Sequence, residues 1–142
     1  MNEQNYRNHT RYVPGFHFVT SVAILALMIG SVITVVHSST ENLHAALMLC
    51  LTSVIFCFLF WYTRSFALKA QDRAIRAEEN FRHFILTGKP LPAGIRMSQI
   101  IALRFASDAE LPALAERAVK ENLKSNEIKQ AIVHWRADFH RV

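Results

Sequence analysis

Two long apolar runs open the chain, and beyond them apolar residues return only at helical intervals. The runs cover 16–36 and 43–62, about 21 and 20 residues, enough for each to cross ~30 Å of hydrocarbon as a helix. The connector between them, HSSTENLH at 37–44, is polar and short, which predicts an antiparallel hairpin. The first run is too long and too uniformly apolar for a signal-peptide core, and no small-residue cleavage pattern follows it. It is therefore expected to be retained.

After Trp61 no helix breaker occurs until Gly88, so the second helix is expected to continue past the apolar run. Phe66, Ala70, Ala74, Ala77, Phe81 and Phe84 recur there as a narrow apolar stripe. Opposite charges at i,i+4, Asp72 with Arg76 and Glu78 with Arg82, would support the exposed side. A helical stalk is the preferred reading, and an amphipathic helix lying on the membrane surface is the alternative. The stretch TGKPLP at 87–92 ends it.

Three short helices are predicted next. Ser98 would cap one running through Ala106. The sequence SDAE at 107–110 fits a capping box opening a second, to about Asn122, with Leu111, Leu114, Ala115, Ala118 and Val119 on its apolar face. Ser125 would cap the third, whose face is Ile128, Ala131, Ile132, Trp135 and Phe139. The expected architecture is all-α: an N-terminal segment (1–15), a two-helix transmembrane hairpin (16–63, helices about 16–36 and 43–63), a cytoplasmic juxtamembrane amphipathic helix (64–86), a linker (87–97) and a small three-helix bundle (98–142). A bundle of ~45 residues is marginal alone, so it should lean on the juxtamembrane helix or on a partner.

Charge adds orientation. Between Arg11 and Arg64 the only charged side chain is Glu41. Arg7 and Arg11 precede the first run and Arg64 and Lys69 follow the second, while the connector has no basic residue. This predicts both termini in the cytoplasm, with Phe58, Phe60, Trp61, Tyr62 and Phe66 as an aromatic belt. Of the net charge of +5, most lies in 64–96, where seven basic groups face three acidic ones; 97–142 holds seven against six. That excess suits anionic lipid head groups rather than nucleic acid. It also argues against a DNA-binding helix-turn-helix in the tail.

Lipid is as apolar as leucine, so the hairpin must close by close packing. Ala26, Gly30 and Thr34 form one stripe of small residues, and Ala46, Cys50, Ser53 and Cys57 another. Facing each other they would close the hairpin; turned outward, one would make a dimer or partner interface. Cys50 and Cys57 are about two turns apart, too far for an internal disulfide, and are expected to be packing residues.

Candidate chemistry is sparse. Of seven histidines, His17 and His37 lie roughly 30 Å apart by helical rise. His37, Glu41 and His44 could contact a metal, haem or quinone, but the preferred reading is polar interfacial residues at helix ends. No charge lies deep in either run, and there is no HExxH, CxxC, P-loop or nucleophile elbow. The sequence thus nominates no catalytic residue, cofactor or metal site. Asn5, Tyr6, Asn8, His9 and Arg11 at one end, and Trp135 and Arg136 at the other, are candidate docking groups.

The stretches NYRNHTRYVPGFHF (5–18), LKAQDRAIRAEENFRHF (68–84), QIIALRFASDAELPALAERAV (99–119) and WRADFHRV (135–142) resemble a family of small uncharacterised bacterial membrane proteins, mainly from Bacteroidetes, classed as a domain of unknown function. The resemblance implies a bacterial inner-membrane protein and carries over no catalytic residues. With the architecture, it leads to the expectation of a non-enzymatic accessory or scaffold subunit, in contact with lipid and with other membrane subunits or copies of itself. The alternative is an anchored cytoplasmic module sensing a ligand or protein through Arg104, Trp135 and Arg136; a redox subunit using His37 and His44 is a third class.

Overall fold

The computed structural model describes Asn5, Tyr6 and residues 13–138. Five helices form among these residues: α1 (Gly15–His37), α2 (Leu43–Thr87), α3 (Met97–Leu103), α4 (Leu111–Lys120) and α5 (Ser125–Ala131). Both α1 and α2 are long and apolar enough to cross a membrane. The chain divides into two compact units, Arg11–Ala67 and Leu68–Val142 with Met1–Thr10, and α2 contributes to each.

In the first unit α1 starts after Pro14, whose missing N–H costs nothing at a helix start. Its opening turn, Gly15–Thr20, is π-helical, and the Thr20 hydroxyl donates to the Gly15 carbonyl five residues back at 3.1 Å. The two helices meet along Ser21, Ile24, Met28, Ser31 and Val35 on α1 and Ala46, Cys50, Ser53, Cys57 and Phe60 on α2. Ser31 and Ser53 are fully buried with their hydroxyls 3.3 Å apart, and Phe16 stacks on Phe60 at 4.4 Å. Each serine also donates to a carbonyl three residues back, Met28 at 2.8 Å and Cys50 at 2.7 Å. A hydroxyl has one proton, so the cross-helix contact competes with those local bonds.

The seam corrects the expectation for α1. Ala26, Gly30 and Thr34 are exposed, and a Cβ added at Gly30 would meet nothing within 4 Å. A stripe at strict intervals of four winds around a helix, whereas a seam stepping alternately by three and four stays facing its partner. The second stripe has those alternating steps and lies in the seam.

In the second unit, residues 68–87 of α2 pack through Ile75, Glu79 and His83, all buried. The predicted apolar stripe is on the other side: Phe66, Ala70, Ala74, Ala77, Phe81 and Phe84 are exposed. Arg82 explains the inversion. It pairs with Glu79 at 3.0 Å and Asp108 at 2.6 Å and donates to the Ala106 carbonyl at 2.7 Å. Its acidic neighbour is thus Glu79 rather than Glu78, and among the described residues no ion pair joins Asp72 to Arg76. Gly88 adopts φ +71°, the left-handed cap that glycine tolerates best, and donates to Phe84 at 2.8 Å.

Around Phe105, Leu103, Leu111, Ala115, Ala118 and Ile128 lies the core. At its centre is a polar residue. Gln99 is 1 % exposed; its Nε2 donates to the Ala118 and Leu123 carbonyls at 2.9 and 3.0 Å, and its Oε1 accepts from the Arg96 N–H at 2.8 Å. Arg96, not Ser98, is therefore the residue before the first turn of α3. That helix ends at Leu103 rather than Ala106. Glu110 precedes α4, which ends at Lys120, two residues short of the expected Asn122. Lys124 precedes α5, its N–H bonding Glu127 Oε2 at 2.5 Å.

The last helix also stops early. Ile132 is extended, and the strand-like residues after it bond elsewhere: the His134 N–H to Glu110 at 3.1 Å, Trp135 across an isolated bridge to Ala106, and the Arg136 N–H to the Phe105 carbonyl at 2.8 Å. Trp135 reaches the core from this segment, its ring 5.2 Å from that of Phe105, not from a helix face. Phe139 lies outside the described residues.

Two outcomes follow from these contacts. Gln99→Leu leaves the Arg96 N–H without its partner and takes one hydrogen bond each from the Ala118 and Leu123 carbonyls, and should cost about 1–3 kcal/mol in chemical unfolding of the tail unit; a loss under about 0.5 kcal/mol would show that the glutamine is dispensable. Burial alone would raise the Glu110 carboxyl, but bonds from the side chain and backbone of His134 hold it below its ordinary value of 4.5. A lowered carboxyl stabilises the fold above its unfolded value, and that contribution disappears as pH falls through the folded one. Glu110→Gln should thus lower the melting temperature at pH 7 and narrow the gap to wild type below pH 4; a gap constant with pH would contradict the assignment.

Candidate functional site

Within the tail unit, Arg73, Arg76, Ala77 and Asn80 occupy adjacent turns on one flank of α2. Opposite them, residues 91–95 make a turn in which the Ile95 N–H reaches the Pro92 carbonyl at 3.3 Å and Gly94 takes φ +84°. A positive φ at the third turn position is the type II pattern, which glycine fills without strain. The Asn80 Oδ1 accepts from the Leu91 N–H at 3.0 Å and ties the turn to the helix. Between the two lies an open groove of about 540 Å³ with Ile100 at its base and no carboxylate in its lining.

A second groove, of about 470 Å³, runs beside α2 where Glu78 and Glu79 approach Arg104, Arg136 and Asp138. Its charges are used internally. Arg104 lies 3.3 Å from Asp138 and its guanidinium sits 4.7 Å over the Phe105 ring, while Arg136 is 3.8 Å from Glu79. Burial lowers the Arg104 pKa and Asp138 works against the shift. The trio expected to sense a ligand thus lies together, with Arg104 and Trp135 built into the packing and Arg136 more than half exposed.

A third feature is apolar. Phe81 and Ile85 are 64 % and 65 % exposed, and Phe84 is half exposed. On α1 the Ala26, Gly30 and Thr34 stripe also faces outward. Of the aromatic belt, Phe58, Tyr62 and Phe66 stack in succession along α2 at 6.3 and 5.6 Å.

Among the N-terminal docking candidates, Tyr6 accepts a hydrogen bond from Gln130 at 3.4 Å and Asn5 is exposed; Asn8, His9 and Arg11 lie outside the described residues. His37, Glu41 and His44 are each exposed, the first with its Nδ1 2.9 Å from the Ile33 carbonyl, and among the described residues no three His, Cys, Asp or Glu side chains are grouped to hold a metal. Sequence reasoning missed the basic groove, although Arg73, Arg76 and Asn80 stand at helical spacing opposite a Pro/Gly turn. It also missed Gln99, whose partners are 19 and 24 residues away.

No curated protein and no solved structure matches the chain. One family model does, over residues 1–142. The chain belongs to that family, DUF6526, a family of unknown function.

Proposed function

We propose that the chain is a non-enzymatic accessory or scaffold subunit of a larger bacterial inner-membrane assembly. Its two apolar helices span the bilayer as a hairpin, and the arginines flanking them keep both termini in the cytoplasm. The observation that carries the reading is the outward stripe on α1. Ala26, Gly30 and Thr34 are exposed, with open space at Gly30. Lipid gains nothing from small residues, but a neighbouring helix gains close backbone approach. The exposed Phe81, Phe84 and Ile85 on α2 support the same reading, because apolar surface in water calls for a cover. The occupant of the α1 stripe is a membrane helix of a different subunit.

A second reading, an anchored cytoplasmic regulatory module, is favoured by the groove beside Arg73 and Arg76. It rests on those residues rather than on Arg104 and Trp135, which are engaged in packing.

Gly30→Leu and Ser53→Leu separate the interface from the hairpin. Leucine at Ser53 overfills a closed seam and should destabilise the hairpin by about 1–3 kcal/mol in a detergent unfolding titration. At Gly30 it should leave that titration unchanged, yet reduce stoichiometric recovery of partner subunits in a mild-detergent pull-down about tenfold. Normal recovery with Gly30→Leu, or isolation of the wild-type chain alone or only with copies of itself, would sink the heteromeric scaffold and turn attention to the anchored module.

A further inference from the structure

We propose that the groove between α2 and residues 91–95 binds a phosphate group, of the kind carried by an anionic lipid head group or a small soluble phosphoester. The first argument is a contrast among the arginines of the tail unit. Arg82 holds Glu79 and Asp108, Arg96 holds the Asn122 and Leu123 carbonyls, Arg104 holds Asp138, Arg117 holds Glu121, and Arg136 approaches Glu79. Arg73 and Arg76 are exposed and, among the described residues, share no ion pair or hydrogen bond with the protein. These two uncompensated guanidinium groups line the same groove.

Their placement repels as it stands. Two cations one helical turn apart disfavour each other, and an anion between them removes the penalty. A guanidinium offers a planar fork of donors that matches phosphate oxygens in pairs. Asn80 adds to this. Its Oδ1 is committed to the Leu91 N–H, which leaves its amide nitrogen as a donor on the groove side of the helix. Ala77, Leu91 and Ile100 supply an apolar wall, and the field of the arginines is screened less there than on an open surface.

The test uses the full-length protein in two settings. Inorganic phosphate is titrated calorimetrically into protein held in nanodiscs of zwitterionic phosphatidylcholine, and retention of phosphatidylglycerol over phosphatidylcholine is measured by native mass spectrometry. Saturable heat in the first setting assigns the site to a soluble phosphoester; selective retention in the second without heat in the first assigns it to a lipid head group. In either case Arg73→Gln with Arg76→Gln should weaken binding at least about tenfold, and Arg73→Lys with Arg76→Lys should fall between, since charge remains while the fork is lost. Arg117→Gln with Lys120→Gln, which removes equal charge elsewhere on the unit, should leave binding within about twofold. The proposal is overturned if neither ligand binds, or if the distant pair weakens binding as much as the groove pair.

Discussion

Burying a charged helix face is the constraint on which the tail unit depends. From α2 the bundle receives Glu79, Arg82 and His83 rather than phenylalanines, and such groups can leave water only with partners in place. Arg82 finds its partners in Asp108 and the Ala106 carbonyl, which sets the chain between α3 and α4 against α2. His83 lies 2.9 Å from the Lys89 carbonyl and so folds the chain back just after Gly88. Asn80 does the same for Leu91. Three polar side chains within about one turn, Asn80, Arg82 and His83, therefore position two connections, and the apolar stripe is left outside because the other side of the helix is taken.

The contact between α1 and α2 obeys a related rule. Small residues on α2 and a pair of serine hydroxyls line the place where the two helices meet. Ala46, Cys50 and Ser53 allow the approach, and the Ser31–Ser53 contact gives the seam a register. Phe16 on Phe60 closes one end with a large contact where the small residues run out.

What could be read from sequence follows the range over which each signal acts. Run length and breakers are local, so the beginnings of both long helices and the stop at Gly88 were legible. The second small-residue stripe was legible because its alternating steps match a seam; the first, at strict fours, belongs to another face. Periodicity misplaced the inner side of α2 because it rewards apolar residues and has no knowledge of partners. Arg82 is buried by groups 24 and 26 residues away, and Gln99 by carbonyls at similar distance. The end of α5 failed likewise: Ile132, Trp135 and Phe139 keep helical spacing, but Glu110 and Phe105 capture the backbone first. Arg76 was assigned to Asp72 by spacing alone, which hid the groove it lines with Arg73.

An ordinary amphipathic helix turns its apolar side inward and its charges to water. Residues 68–87 of α2 do the reverse over much of their length. Glu79 and Arg82 face the bundle, while Phe81, Phe84 and Ile85 are exposed beside the unpaired Arg73 and Arg76. Ala77 belongs to both the basic groove and the apolar stripe, so the two form one contiguous outer sector. Such an inversion leaves apolar area in water and two like charges without counter-ions, and both costs are relieved by the same kind of event, the arrival of something with an apolar body and an anionic group. A head group in the groove and a subunit on the stripe are compatible occupants of that sector, and filling the groove would remove the repulsion that otherwise opposes packing beside it.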